Sequence, residues 1–117
     1  MKIKCFEQKF CVCKLADISG VDFSGFVFLS RTDEEISLVC EADAVPANAT
    51  HTEDGWRAFR LDQELDFSLI GIIAKISNAL AKAGISVFVV STYNTDYVLI
   101  KEANFAHAVT IVENLQF

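Results

Sequence analysis

A chain of 117 residues with 52% hydrophobic and 22% charged side chains can bury roughly two-thirds of its unfolded surface, which excludes a disordered polymer. Its net charge is −6 and its ten lysines and arginines are scattered, so counterion release from phosphates has little to work with and nucleic acid is not an expected partner. No apolar run approaches the roughly 20 residues of a membrane-spanning helix, and MKIKCFEQKFCVC lacks the apolar core of a signal peptide, so a cytoplasmic protein with no membrane partner is expected.

In chain order, Phe10-Cys11-Val12-Cys13-Lys14-Leu15 predicts a strand. The connector Asp17–Gly25 is too short for a long helix. Strands at Phe26–Leu29 and Ile36–Cys40 follow, hinged at Arg31-Thr32-Asp33-Glu34. Residues 42–49 hold the only proline, Pro46, and have room for one helical turn. Thr50–Gly55 is polar and predicts a linker. Trp56–Leu61 alternates as a strand. The strongest helix is predicted over 68–83, where Leu69, Ile72, Ile73, Ile76, Leu80 and Ala83 recur at spacings of three and four. Asp66 and Ser68 are candidate caps at its start, and Gly84 is placed to end it in the left-handed conformation. A strand at Ile85–Val90, a polar turn Thr92–Thr95 and a strand Tyr97–Ile100 come next. Phe105, Ala108, Val109 and Val112 mark a closing helix.

The two halves echo each other. Ser30–Ala42 runs against Ser91–Ala103 at an offset of 61, with matches at Ser30/Ser91, Leu38/Leu99, Glu41/Glu102 and Ala42/Ala103. The second half reads β-α-β-β-α and the first reads the same with its long helix lost. The expected fold is therefore α+β: two ferredoxin-like modules of βαββα type in tandem, antiparallel sheets with helices on one face. The expected modules are 1–54, degenerate, and 55–117.

Cys5, Cys11, Cys13 and Cys40 lack the paired spacing of a zinc site. Cys11 and Cys13 instead share one strand face, and all four are expected to be reduced, buried thiols acting as small hydrophobes. His51 and His107 stand apart from other candidate ligands. With no phosphate-cradling glycine loop and no nucleophile–base pair, neither a metal, a cofactor nor catalysis is expected.

Leu65–Ala74 followed by Ile85–Tyr97 resembles ACT domains, in particular the small tandem-ACT proteins of bacteria, which are similar to the cytosolic arginine sensors of animals and the regulatory ACT pairs of aspartate kinases. Residues 26–49 and Gly55–Phe59 add to the likeness, which is weakest over 1–9. The resemblance implies an amino-acid ligand held between two modules, against a strand, the loop before the long helix and that helix's first turn. Asp66, Ile73, Thr92, Tyr93 and Asp96 fall at positions lining one side of such a cleft, and Ser86 and Val87 at positions on the facing side, which comes from a different module. Asp96 would then hold the ligand's cationic group, Ser86 its carboxylate or ammonium, and Gly71 would allow close approach. Leu69 stands where the arginine sensors place a glutamate, which implies a neutral or apolar amino acid.

Ser86 and Asp96 belong to one module, so the expected assembly is a homodimer in which each cleft takes Ser86 from one chain and Asp96 from the other. A regulatory module of this kind would pass its signal to another protein. The alternative is an interaction or structural dimer whose ligand site has decayed. Ordinary structural roles also exist for these residues: a turn aspartate for Asp96, a helix cap for Asp66, packing for Gly71 and a solvent-facing aromatic for Tyr93.

Overall fold

The computed structural model describes residues 1–62 and 71–116. Six strands form one sheet: β1 (Ile3–Leu15), β2 (Val27–Arg31), β3 (Ile36–Glu41), β4 (Ala49–Leu61), β5 (Phe88–Ser91) and β6 (Asp96–Lys101), in the order β2-β3-β1-β4-β6-β5. The β1–β3, β2–β3 and β5–β6 pairs are antiparallel. Two helices complete the described residues, α1 (Ile72–Lys82) and α2 (Glu102–Glu113), with a 3-10 turn at Ala42–Ala44. The α+β class is the one expected. The chain divides into two compact units, Met1–Glu7 with Arg57–Phe117, and Gln8–Trp56, so the long strands β1 and β4 each contribute to both.

In the larger unit, the helical stripe read from the sequence is the buried one. Ile76 and Leu80 of α1 and Phe105, Ala108 and Val112 of α2 pack with Phe59, Leu61, Ile85, Val98 and Ile100. The strand residues of that set alternate along β4 and β6, as a sheet with one face under helices requires. Arg57 ties this unit together: its Nε and Nη2 donate to the Phe6 carbonyl at 3.2 and 2.8 Å, and its guanidinium lies 4.5 Å from the Phe105 ring centre.

The end of α1 follows the expected chemistry. Gly84 has φ +74°, Gly84 N–H donates to Ala81 O and Ile85 N–H donates to Leu80 O, the paired bonds of a Schellman motif, with buried Ile85 as its hydrophobic contact. That bond also takes the Ile85 amide out of the sheet. The strand predicted from Ile85 accordingly begins only at Phe88, and Ser86, expected inside it, precedes it and is exposed. The described helix starts at Ile72 behind Gly71, and the cap candidates Asp66 and Ser68 lie outside the described residues.

In the smaller unit, Cys11, Cys13, Leu15, Leu38 and Cys40 form the core, flanked by Val21, Val27, Leu29, Ile36, Val45 and Ala49. No helix is described between β1 and β2, where only turns occur. A Cβ at Gly25 would meet the Glu41 carboxylate, which accepts the Phe26 N–H at 3.1 Å, so a larger residue there would displace that carboxylate. The post-β3 helical turn is the three-residue Ala42–Ala44. Thr50–Gly55, expected as a linker, lies within β4. Its polar residues are exposed, so their composition reports solvent contact rather than the end of a strand.

The two hairpins share one register, at an offset of 60 rather than 61. β2 pairs with β3 through Arg31↔Ile36, Ser30↔Ser37, Leu29↔Leu38 and Phe28↔Val39, and β5 pairs with β6 through Ser91↔Asp96, Val90↔Tyr97, Val89↔Val98 and Phe88↔Leu99. Adding 60 to each first-hairpin number gives the second hairpin. In that register the identical residues are Val27/Val87, Phe28/Phe88 and Thr32/Thr92, and Ser30 and Ser91 do not occupy equivalent positions. A one-residue slip would turn every inward side chain outward, and the two turns fix the phase.

Candidate functional site

Hairpin β5–β6 closes by bonds from two threonines. Thr92 N–H donates to the Thr95 carbonyl at 2.8 Å, Thr92 Oγ1 donates to the same carbonyl at 3.0 Å, and Thr95 N–H donates back to Thr92 Oγ1 at 3.4 Å. Thr95 Oγ1 donates to Leu61 O at 3.0 Å, which sets this turn beside the carboxyl end of β4. β6 is therefore antiparallel to its neighbour β4, and β4 and β5 run parallel toward the same sheet edge. A helix joining two parallel strands returns in the opposite direction, so α1 starts at that edge. Lys75 in its first turn agrees, because Lys75 Nζ bonds Gln116 O beyond the end of α2, the helix that returns from the far end of β6.

The edge thus gathers the start of α1, the Thr92–Thr95 turn and the first residue of β6. Helix α1 leaves its first N–H groups without intrahelical acceptors, and its cap residue Gly71 supplies no side chain to them. Such groups carry partial positive charge and favour an anion. Asp96 supplies the opposite sign. It shares strand parity with Val98 and Ile100, which lie under the helices, and its Oδ1 accepts from the Ser91 hydroxyl directly across the ladder. A helix start and a carboxylate at one strand end carry the two signs that a zwitterion needs.

Of the expected site residues, Gly71, Ile73, Thr92, Tyr93 and Asp96 sit at this edge. Tyr93 is 83% exposed. Asp66 and Leu69 lie outside the described residues. Ser86 and Val87 are not brought to it: they precede β5, whose run places Ser86 about 16 Å along the chain from Ser91. Ser86 is exposed and half-buried Val87 packs on the helix-side core. Sequence reasoning missed Ser91 as a partner of Asp96, because the 61-residue offset paired Ser91 with Ser30 instead of exposing the cross-strand relation.

The cysteines are not a reactive set. Cys11, Cys13 and Cys40 are buried, with Cys13 Sγ 3.6 Å from Cys11 Sγ. Burial, then the Cys13 thiol, pushes the Cys11 pKa up to about 11, and burial raises Cys13 and Cys40 as well. Thiols so shifted stay protonated at neutral pH and react slowly. Cys5 corrects the expectation of four buried thiols: it is exposed, one residue out of phase with buried Phe6. Among the described residues no group of three or more His, Cys, Asp or Glu side chains is arranged to hold a metal ion. A separate open cavity of about 280 Å³, lined by Gln8, Lys9, Glu41, Ala42 and Asp43, contains none of the expected site residues.

A family model for the ACT domain matches residues 51–114, more than half of the chain and the whole of this edge. The chain belongs to the ACT domain family. The ACT chain is 31% identical over 104 residues to the cytosolic arginine sensor for mTORC1 subunit 1 of Bos taurus, and 31% identical over 105 residues to that of Homo sapiens. These alignments take in 83% and 84% of the chain but only 32% and 31% of the sensors, so the ACT chain spans about a third of their length. A crystal structure of a protein from Agrobacterium tumefaciens superposes with a TM-score of 0.83 at 28% identity, covering 96% of this chain and 86% of that one. Aspartate kinase of Clostridium acetobutylicum shares the fold, with a TM-score of 0.71 at 15% identity over 96% of this chain and 34% of the kinase. No described helix is long and apolar enough to cross a membrane.

Proposed function

We propose that this ACT protein is a non-catalytic regulatory module that binds a free amino acid at the edge formed by the start of α1, the Thr92–Thr95 turn and Asp96. What supports the reading is topology: α1 begins at the strand end where β6 opens with Asp96, inside the stretch that matches the ACT family. The ligand's carboxylate meets the helix amides around Gly71 and Ile73. Its ammonium meets Asp96 through a charge-assisted hydrogen bond. Thr92 and Tyr93 present backbone groups beside it.

The similarity to arginine sensors supports an amino-acid ligand, and Leu69 in place of their glutamate selects a neutral or apolar one. Ser86 and Val87 belong to the opposite wall, given by a second copy of the chain. The distance of Ser86 from Asp96 along the same chain supports that assignment. Tandem ACT modules over 1–54 and 55–117 complete the proposal, supported by the matching registers of the two hairpins. The module acts in the cytoplasm by changing its fit to another protein when the ligand binds.

Thermal shift with each of the twenty amino acids tests this, because a ligand that binds only the folded chain raises its stability by RT ln(1 + [L]/Kd). A rise with a small neutral set is expected. No rise with any of them at millimolar concentration favours the interaction dimer with a decayed site.

A further inference from the structure

We propose that Ser91 is a positioning residue for Asp96, fixing the carboxylate in the orientation in which it receives the ligand's ammonium; this rests on the amino-acid-binding reading above. Ser91 and Asp96 are direct cross-strand partners, and the Ser91 hydroxyl donates to Asp96 Oδ1. The residue pair closes the strand ladder at the turn, on the helix-side parity shared with Val98 and Ile100. An aspartate at an exposed turn otherwise samples several side-chain rotamers, and a ligand binding it would have to select one. The serine bond makes that selection before the ligand arrives.

The first hairpin shows that the pair is not a requirement of the turn. At the equivalent positions it carries Arg31 opposite Ile36, with the same register. Its turn closes through Thr32 alone: Thr32 N–H donates to Glu35 O at 2.9 Å, and Thr32 Oγ1 accepts from Glu34 N–H and Glu35 N–H at 3.2 and 3.1 Å. The threonine is common to both hairpins, and the Ser–Asp pair belongs only to the one at the ACT edge. A hydroxyl and a carboxylate that a sister hairpin folds without are therefore assigned to ligand orientation.

The experiment is calorimetric titration of the wild-type chain, Ser91→Ala, Ser91→Thr, Asp96→Asn and the Ser91→Ala/Asp96→Asn double variant with the amino acid that gives the largest thermal shift, alongside unliganded melting curves. Ser91→Ala is expected to lose about three- to tenfold in affinity, the cost of ordering one side chain on binding, with at most a small fall in the unliganded melting temperature. Ser91→Thr restores most of it, and Ser91→Ala adds no loss in the Asp96→Asn background. Wild-type affinity in Ser91→Ala, or equal losses with and without Asp96, overturns the positioning role while leaving the binding reading intact. A wild-type chain that binds none of the twenty amino acids overturns both.

Discussion

At residue scale the account turns on a single carboxylate. Asp96→Asn keeps the size and one acceptor but removes the charge, so the ammonium loses an interaction of about 1.5–3 kcal/mol. Amino-acid affinity is expected to fall roughly 10- to 150-fold in a calorimetric titration, with little change in melting temperature because Asp96 is only half-buried. The thiols give an independent check of the core. Burial and Glu113 raise the Cys5 pKa as well, so exposure alone sets it apart, and a thiol reagent at neutral pH is expected to reach Cys5 before the three buried thiols, a first phase lost in Cys5→Ser. For Cys11 the folded-state pKa of about 11 lies above the ordinary thiol value of 9.0, so between those values the unfolded chain has released a proton that the folded chain holds. Stability from the buried thiol is thus complete below about 9 and is lost as pH rises toward 11. Chemical denaturation across that window is expected to show a falling stability that Cys11→Ala flattens. Asp17 acts with the opposite sign: hydrogen bonds from Ser19 hold its pKa below 3.8, so its contribution is present above that value and lost in acid.

At the scale of elements, α1 is the one whose two ends matter differently. Its C-terminus is structural, closed by Gly84 at φ +74°. Gly84→Ala forces a Cβ into the left-handed region and is expected to cost about 1–2 kcal/mol in denaturant unfolding without altering ligand affinity, because the site lies at the other end. Local chemistry was legible in the sequence for this reason. The spacing of Ile76 and Leu80 gave α1's buried face, and Gly84 gave its stop. What escaped was set by tertiary pairing. The phase of the repeat depends on which residues face each other across the turn, and Ser30/Ser91 identity points to the wrong one. Thr50–Gly55 carries no strand signal of its own and is strand because its backbone continues a long ladder. The site shows the same split. Asp96, Thr92 and Gly71 are assigned to the proposed site only through their likeness to ACT domains, whereas the Ser91–Asp96 bond can be seen only once register is known.

At the scale of the molecule, the proposed cleft needs two chains, since Ser86 and Asp96 of one chain stand at opposite ends of β5. The first hairpin has Arg31 and Ile36 where the second has Ser91 and Asp96, so one ligand per chain is the expected stoichiometry. Complementation tests this assembly. Ser86→Ala and Asp96→Asn chains each bind weakly alone, and mixing them after exchange is expected to restore one full-affinity site per mixed dimer. Sedimentation showing only monomer at micromolar concentration, or no recovery on mixing, removes the shared cleft.

The measurement closest to the central claim is a calorimetric titration of the intact chain with the twenty amino acids, repeated on Asp96→Asn. Saturable binding of a neutral amino acid at one equivalent per chain, weakened by at least about tenfold in the variant, is the predicted result. Binding that Asp96→Asn leaves untouched would contradict it.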